Sequence, residues 1–325
     1  MAAAPADGAT RDEPAKARNG GLTCIPGRFQ AHALPRRNTK AMRRALFETF
    51  FRIAPSVPGV RPFFAPELPR EAPIIPSDRP LRLEIVSHSW RYHLLLCYQL
   101  SSLLLHPPRQ AHIRMTVFYT REDPDTEAVL EYFMGQDAPN VTWNPWPLEP
   151  PQLFRRSIGR NLAARKTEAD WIWFSDCDLL FRQDALDRAA EALRDRPEVL
   201  VHPRCVHTTD LLPPDHPLLT EVSPLPGVHD VNPELFNVDD IRDRAAGSYQ
   251  ITRGDVARAA GYCGTIPFYQ KPVDRWQKTF EDRAFRWLLG EQGTPVEIPG
   301  LYRIRHRAKG RKGHRPEGAP ATSSP

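Results

Sequence analysis

Asp170-Trp171-Ile172-Trp173-Phe174-Ser175-Asp176-Cys177-Asp178 is an apolar run that ends in two carboxylates one residue apart. Aromatic and β-branched residues without polar alternation predict a strand buried on both faces. The end of such a strand is where an open α/β sheet places its ligand. In extended backbone, residues i and i+2 point to the same side. Asp176 and Asp178 are therefore expected to share one divalent cation, or to divide a cation and a ligand hydroxyl between them. The competing reading makes them the cap of a helix opening near Gln183-Asp184-Ala185-Leu186. A second Asp-x-Asp, Asp123-Pro124-Asp125, precedes Thr126-Glu127-Ala128-Val129-Leu130 and reads as the capped start of a helix instead.

From residue 81 onward, periodicity predicts alternating strands and helices: a mostly parallel sheet covered on both faces. Strands are expected near Leu83–Ser87, Ile113–Thr120, Val141–Trp143, Trp171–Ser175 and Val199–His202. Helices are expected near Trp90–Leu105, Thr126–Phe133, Leu153–Lys166 and Asp184–Arg194. A proline-rich connection from Pro203 to Asn237 reads as an acceptor-side lid or a surface insertion. Gly247–Asp255 reads as a strand turning into a helix through Ala260, and Arg303-Ile304-Arg305-His306 as a closing strand.

Arg155-Arg156-Ser157-Ile158-Gly159-Arg160-Asn161-Leu162-Ala163-Ala164-Arg165-Lys166 predicts a basic helix, with Arg160 sixteen residues before Asp176. Downstream lies Thr279-Phe280-Glu281-Asp282-Arg283 at the head of another helical pattern. These elements in this order resemble the family 2 glycosyltransferases and their GT-A relatives, over roughly residues 80–306. The resemblance implies a GT-A type, Rossmann-like α/β fold. It also implies a nucleotide-diphospho sugar donor and Mn²⁺ or Mg²⁺ at Asp176, Asp178 and His306. Ser87, Arg160, Asp176, Gln250 and Arg253 are then expected to contact the donor. Asp282 is expected to act as catalytic base with Glu281 orienting the acceptor or the turn, and transfer is expected to invert the anomeric centre. Read without the resemblance, Asp282 is a helix cap and His306 a surface histidine. The first strand departs from the family pattern in carrying Arg82 and Glu84 and continuing as His88-Ser89-Trp90-Arg91.

The chain has 325 residues, with 41% apolar and 26% charged, as expected of a globular enzyme. Leu94–Leu105, the longest apolar stretch, falls short of the roughly 20 residues a membrane span needs. The N-terminus lacks a hydrophobic signal core, and five cysteines without Cys-x-x-Cys spacing argue against disulfides and structural zinc. Reducing cytoplasm is the expected location. The 35 prolines concentrate outside the predicted elements. Residues 1–35 are expected to be disordered, 36–80 a helix plus proline-rich connector, 81–202 the nucleotide-sugar half, 203–306 the acceptor half and 307–325 a basic tail. Within Lys40–Ala54, Met42, Leu46, Phe50 and Ile53 share a face beside Arg36, Arg37, Arg43 and Arg44. Such a helix can lie on an anionic membrane as a peripheral contact. It can instead dock on the catalytic domain, with Phe47 and Phe51 widening the buried face.

The acceptor is expected to be a saccharide, a lipid or a small molecule. A net charge of +5 and the tail from Arg303 to Arg315 raise nucleic-acid or anionic-surface binding as a rival, disfavoured because no stacking aromatics interleave the tail. A nucleotidyltransferase on a similar sheet would also use paired carboxylates, but it needs a Gly-rich phosphate loop that His88-Ser89-Trp90-Arg91 does not supply.

Overall fold

The computed structural model describes residues 59–307 except 221–223 and 277–278, together with positions 42, 46–47, 49–51 and 53–57. The chain divides after Met42 into two compact units, and the elements below belong to the second. The expectations for residues 1–35 and for 308–325 lie outside the described residues.

Among the described residues eleven strands follow in chain order: β1 (Leu81–His88), β2 (Ala111–Tyr119), β3 (Val141–Pro147), β4 (Trp171–Phe174), β5 (Leu179–Phe181), β6 (Leu200–Pro203), β7 (Cys205–Thr208), β8 (Val238–Ile241), β9 (Gln250–Arg253), β10 (Thr294–Val296) and β11 (Leu301–Arg303). The main helices are α1 (His93–Leu105), α2 (Pro124–Met134), α3 (Arg156–Lys166), α4 (Ala185–Leu193), α5 (Gly254–Ala260) and α6 (Glu281–Leu289). Seven strands form the central sheet in the order β10-β6-β9-β4-β1-β2-β3, and β5-β11-β7-β8 form a smaller one. In the central sheet β9 alone runs antiparallel to its neighbours β4 and β6.

The sheet is buried on both faces, which explains the lack of polar alternation in β4. Trp171 and Trp173 join the core under α1, α2 and α4, whereas Ile172 and Phe174 join the core under α3, α5 and α6. β1 divides likewise, with Leu83 and Ile85 on the first side and Val86 on the second. Glu84 shares the face of Val86. It is 2% exposed and accepts a 2.6 Å hydrogen bond from Thr116 Oγ1, to which Asn144 Nδ2 donates at 2.9 Å. Burial pushes the Glu84 carboxyl above its ordinary range.

Local chemistry sets the helix ends. Asp123 caps α2 by accepting from the Thr126 hydroxyl at 2.8 Å, with Pro124 in the first turn, so the second Asp-x-Asp is structural. α1 starts at His93 rather than Trp90 because Arg91 adopts a left-handed conformation (φ 57°) and donates its N–H to Asp123. The stretch expected as one helix from Leu153 divides into a turn at Pro150–Leu153 and then α3. The 203–237 connection is partly ordered sheet, since β7 pairs with β8 and β11. Before the domain, described positions between 46 and 53 are helical. Phe51 is buried against Phe64, Phe268 and Tyr269, but Phe47, expected to widen that buried face, is 56% exposed.

Candidate functional site

β4 ends at Phe174, and Asp176 and Asp178 lie in the turn that leads directly into β5. They are therefore neither on extended strand nor at a helix cap, because α4 begins only at Ala185. The turn is held from three sides. Ser175 N–H donates to the Val86 carbonyl (2.8 Å), Gln99 Nε2 donates to the carbonyls of Asp176 (2.9 Å) and Leu179 (2.8 Å), and Ile304 N–H donates to the Asp178 carbonyl (2.9 Å). With its backbone fixed, the turn presents two carboxylates in set positions.

Arginines surround them. Arg156 and Arg160 stand one turn apart on α3, and both reach Asp176 Oδ1, at 2.8 and 3.4 Å. Arg160 is fully buried and also donates to the Tyr262 hydroxyl at 2.9 Å. Arg156 spans the gap to α6, donating to Glu281 Oε1 from Nη2 (2.9 Å) and Nε (3.1 Å). Burial alone would raise the Glu281 carboxyl, yet Arg156 and Arg160 hold it down to about 2. From the smaller sheet, Arg303 Nε donates to Asp178 Oδ2 at 2.9 Å. That carboxylate raises the Arg303 guanidinium well above its usual value.

The turn opens onto a cleft of about 430 Å³, lined among others by His88, Tyr92, Trp276, Arg305 and His306. His88 ends β1 with its ring against Phe118 (centroids 5.0 Å), and neither ring nitrogen has a hydrogen-bond partner. Burial, reinforced by Arg160 and Arg156, pushes its imidazole well below the ordinary range, so it is neutral at pH 7.

The expected site residues fare differently. Asp176, Asp178, Arg160 and His306 converge, with His306 Nε2 4.0 Å from Asp178 Oδ2. Gln250 stands behind them, accepting from Tyr262 OH (2.6 Å) and donating to the Asp282 carbonyl (3.1 Å). Glu281 accepts from Arg156 and from Thr279 Oγ1 (2.6 Å), which ties the start of α6 to α3. Asp282 lies in the first turn of α6, whose cap position belongs to Phe280, and it is 27% exposed near Arg286 (3.5 Å).

Two of the expected donor-contacting residues do not line this cleft. Ser87 points to the α1 side, fully buried and donating to Gln99 Oε1 (2.8 Å), because adjacent strand residues face opposite ways. Arg253 pairs with Trp171 at the opening end of β4, the opposite end from Asp176, and is bound to Asp255 (2.8 Å). Antiparallel β9 carries it away from the cleft. Sequence reasoning missed Arg156, Arg303 and His88 as site residues, although the spacing of Arg156 and Arg160 already put them on one helix face.

Among the described residues no three His, Cys, Asp or Glu side chains are grouped as a complete metal cage. Asp178 Oδ1, however, is buried without a hydrogen-bond partner. An orphaned carboxylate oxygen beside a second carboxylate and an imidazole fits a hard cation that takes its remaining ligands from a bound anion.

Residues 148–244, which span α3 and the Asp176–Asp178 turn, match the sequence profile described as glycosyl transferase family 2. No curated protein matches the chain. Among solved structures, the chain is similar to S. aureus TarS 1-349 in complex with UDP-GlcNAc (11% identity, 72% of this chain and 62% of that one, TM-score 0.44). It is also similar to the mannosyltransferase PcManGT from Pyrobaculum calidifontis in complex with GDP-Man and Mn²⁺ (11% identity, 82% and 65%, TM-score 0.41). The chain thus spans a little under two thirds of the length of these solved chains. Over residues 148–244 the chain is similar to the family 2 glycosyl transferases, and that stretch is set in a mixed α/β fold with a mostly parallel central sheet.

Proposed function

We propose that the protein transfers a sugar from a nucleotide-diphospho sugar to a hydroxyl of a saccharide, lipid or small-molecule acceptor. The observation that carries this is the rigid Asp176–Asp178 turn, fixed at a sheet end and facing a cleft with fixed positive charge, inside the segment that matches the family. Asp178, with Asp176 and His306, would hold Mn²⁺ or Mg²⁺, which when bound neutralises charge on the diphosphate. Arg303 and Arg305 line the same cleft and add fixed positive charge where the nucleoside diphosphate leaves. Arg156 and Arg160 hold Asp176 in place.

Asp282 takes the acceptor proton as the acceptor oxygen attacks the anomeric carbon. The carbon–oxygen bond to the diphosphate breaks on the opposite face, so the centre inverts. The expected setting is the cytoplasm.

The test is release of nucleoside diphosphate from a panel of sugar nucleotides, with Asp178→Asn as the variant. Release from one donor, lost in the variant while its circular dichroism spectrum is unchanged, supports the proposal. Equal release by the variant overturns the role of Asp178.

A further inference from the structure

An apolar surface lies outside the cleft, where the segment before the domain docks. Leu46, Phe47, Phe50, Ile53, Val57 and Phe63 are 62%, 56%, 42%, 53%, 41% and 84% exposed. Monomeric proteins rarely gather so many large apolar side chains on one short segment without a use for them. The segment itself is firmly seated, so its exposure does not come from a detached helix. Phe51 and Ala54 are buried, and Arg283 donates to Ser56 Oγ at 2.5 Å. Arg61 donates to the carbonyls of Trp287, Leu288 and Leu289 at 3.0, 3.3 and 3.0 Å, closing the end of α6. Docking turns one side inward and leaves the Leu, Phe and Ile side chains facing out.

Charge selects the occupant. Between residues 36 and 52 the sequence carries Arg36, Arg37, Lys40, Arg43, Arg44 and Arg52 against one acidic residue, Glu48. A sequence in which Arg43, Arg44 and Arg52 flank Leu46, Phe47 and Phe50 suits the headgroup boundary of an anionic bilayer, where apolar groups insert and cations meet lipid phosphates. No helix among the described residues is long and apolar enough to cross a membrane.

We propose that the exposed side chains of Leu46, Phe47, Phe50, Ile53, Val57 and Phe63 form a docking surface for an anionic lipid bilayer. The proposal is independent of the glycosyl-transfer reading, because its test involves no turnover.

The test is co-sedimentation of the full chain with vesicles of phosphatidylcholine alone or mixed with phosphatidylglycerol, at low and high salt. Leu46→Glu combined with Phe63→Glu is the surface variant; both residues are exposed, so folding is spared. Ile74→Glu is the control, being 93% exposed while its neighbour Ile75 packs into the other core. The expected results are binding to the anionic vesicles only, a fall of about tenfold or more in the surface variant, and none in the control. Binding should also weaken as salt rises. No binding by the folded protein, equal binding to both vesicle types, or an equal loss in the Ile74 control would overturn the proposal. So would a concentration-dependent dimer in sedimentation velocity that the surface variant abolishes, since a second copy would then occupy this surface.

Discussion

Replacing Glu281 with Gln removes one charge from the chain of contacts Asp176–Arg156–Glu281 while keeping the side chain's shape and its bond from Thr279. Glu281 is only 6% exposed, and its carboxyl is lowered from an ordinary 4.5 to about 2. A folded-state value below the unfolded one contributes stability that is complete above the unfolded value and is lost as pH falls through the folded one. The difference corresponds to about 3 kcal/mol at pH 7. By the same relation about 2 kcal/mol remains at pH 3.5, with further loss toward pH 2. Urea denaturation of wild type and Glu281→Gln at both pH values reads these differences as shifts in midpoint at constant slope. The expected gap is wide at neutral pH and narrower in acid. A gap of under about 0.5 kcal/mol at pH 7, the level of an ordinary surface substitution, would refute the assignment of Glu281 as the anchor of Arg156. A gap independent of pH would do the same.

Glu84→Gln should act in the opposite sense: its folded-state carboxyl is raised by burial, so the ionised form is penalised as pH climbs, and the variant should be as stable as wild type or more so at pH 8, with the difference vanishing toward pH 4. A loss of stability at pH 8 would show that the charge is favourable there. Gly254→Ala should destabilise by about 1–3 kcal/mol, because a Cβ at that position would run into the Ala169 carbonyl oxygen, which is backbone and cannot rotate aside; an unchanged melting temperature would contradict the close approach of α5 to the start of β4. Asp282→Asn should abolish transfer and keep donor binding, and retained transfer would remove Asp282 as the base.

Much of the fold is legible from residues because burial on two faces leaves a plain mark. The run Trp171 to Phe174 and the Asp176–Asp178 pair behind it located the strand end, and Asp123-Pro124 was readable as a cap from its own chemistry. What escaped has physical causes. With both faces of β1 buried, nothing in Leu83-Glu84-Ile85-Val86 says which residue at its end meets the cleft. The choice between Ser87 and His88 therefore waited for the fold. The direction of β9 is a tertiary matter, and it decided that Gln250 lies near Asp176 while Arg253 lies at the far end. The contact between Arg156 and Glu281 joins residues 125 apart in sequence, so no local pattern announces it. Only the paired arginines on α3 hinted that a carboxylate would face them.

The central claim concerns the cleft above Asp176 and Asp178, and binding tests it before any acceptor is known. Melting temperature measured with UDP, GDP, CDP, ADP and TDP, each with and without Mn²⁺, reports any ligand that favours the folded state. A rise with one diphosphate that requires Mn²⁺ and is lost in Asp178→Asn is the predicted result. A folded protein that responds to none of them would contradict a nucleotide-sugar site in this cleft.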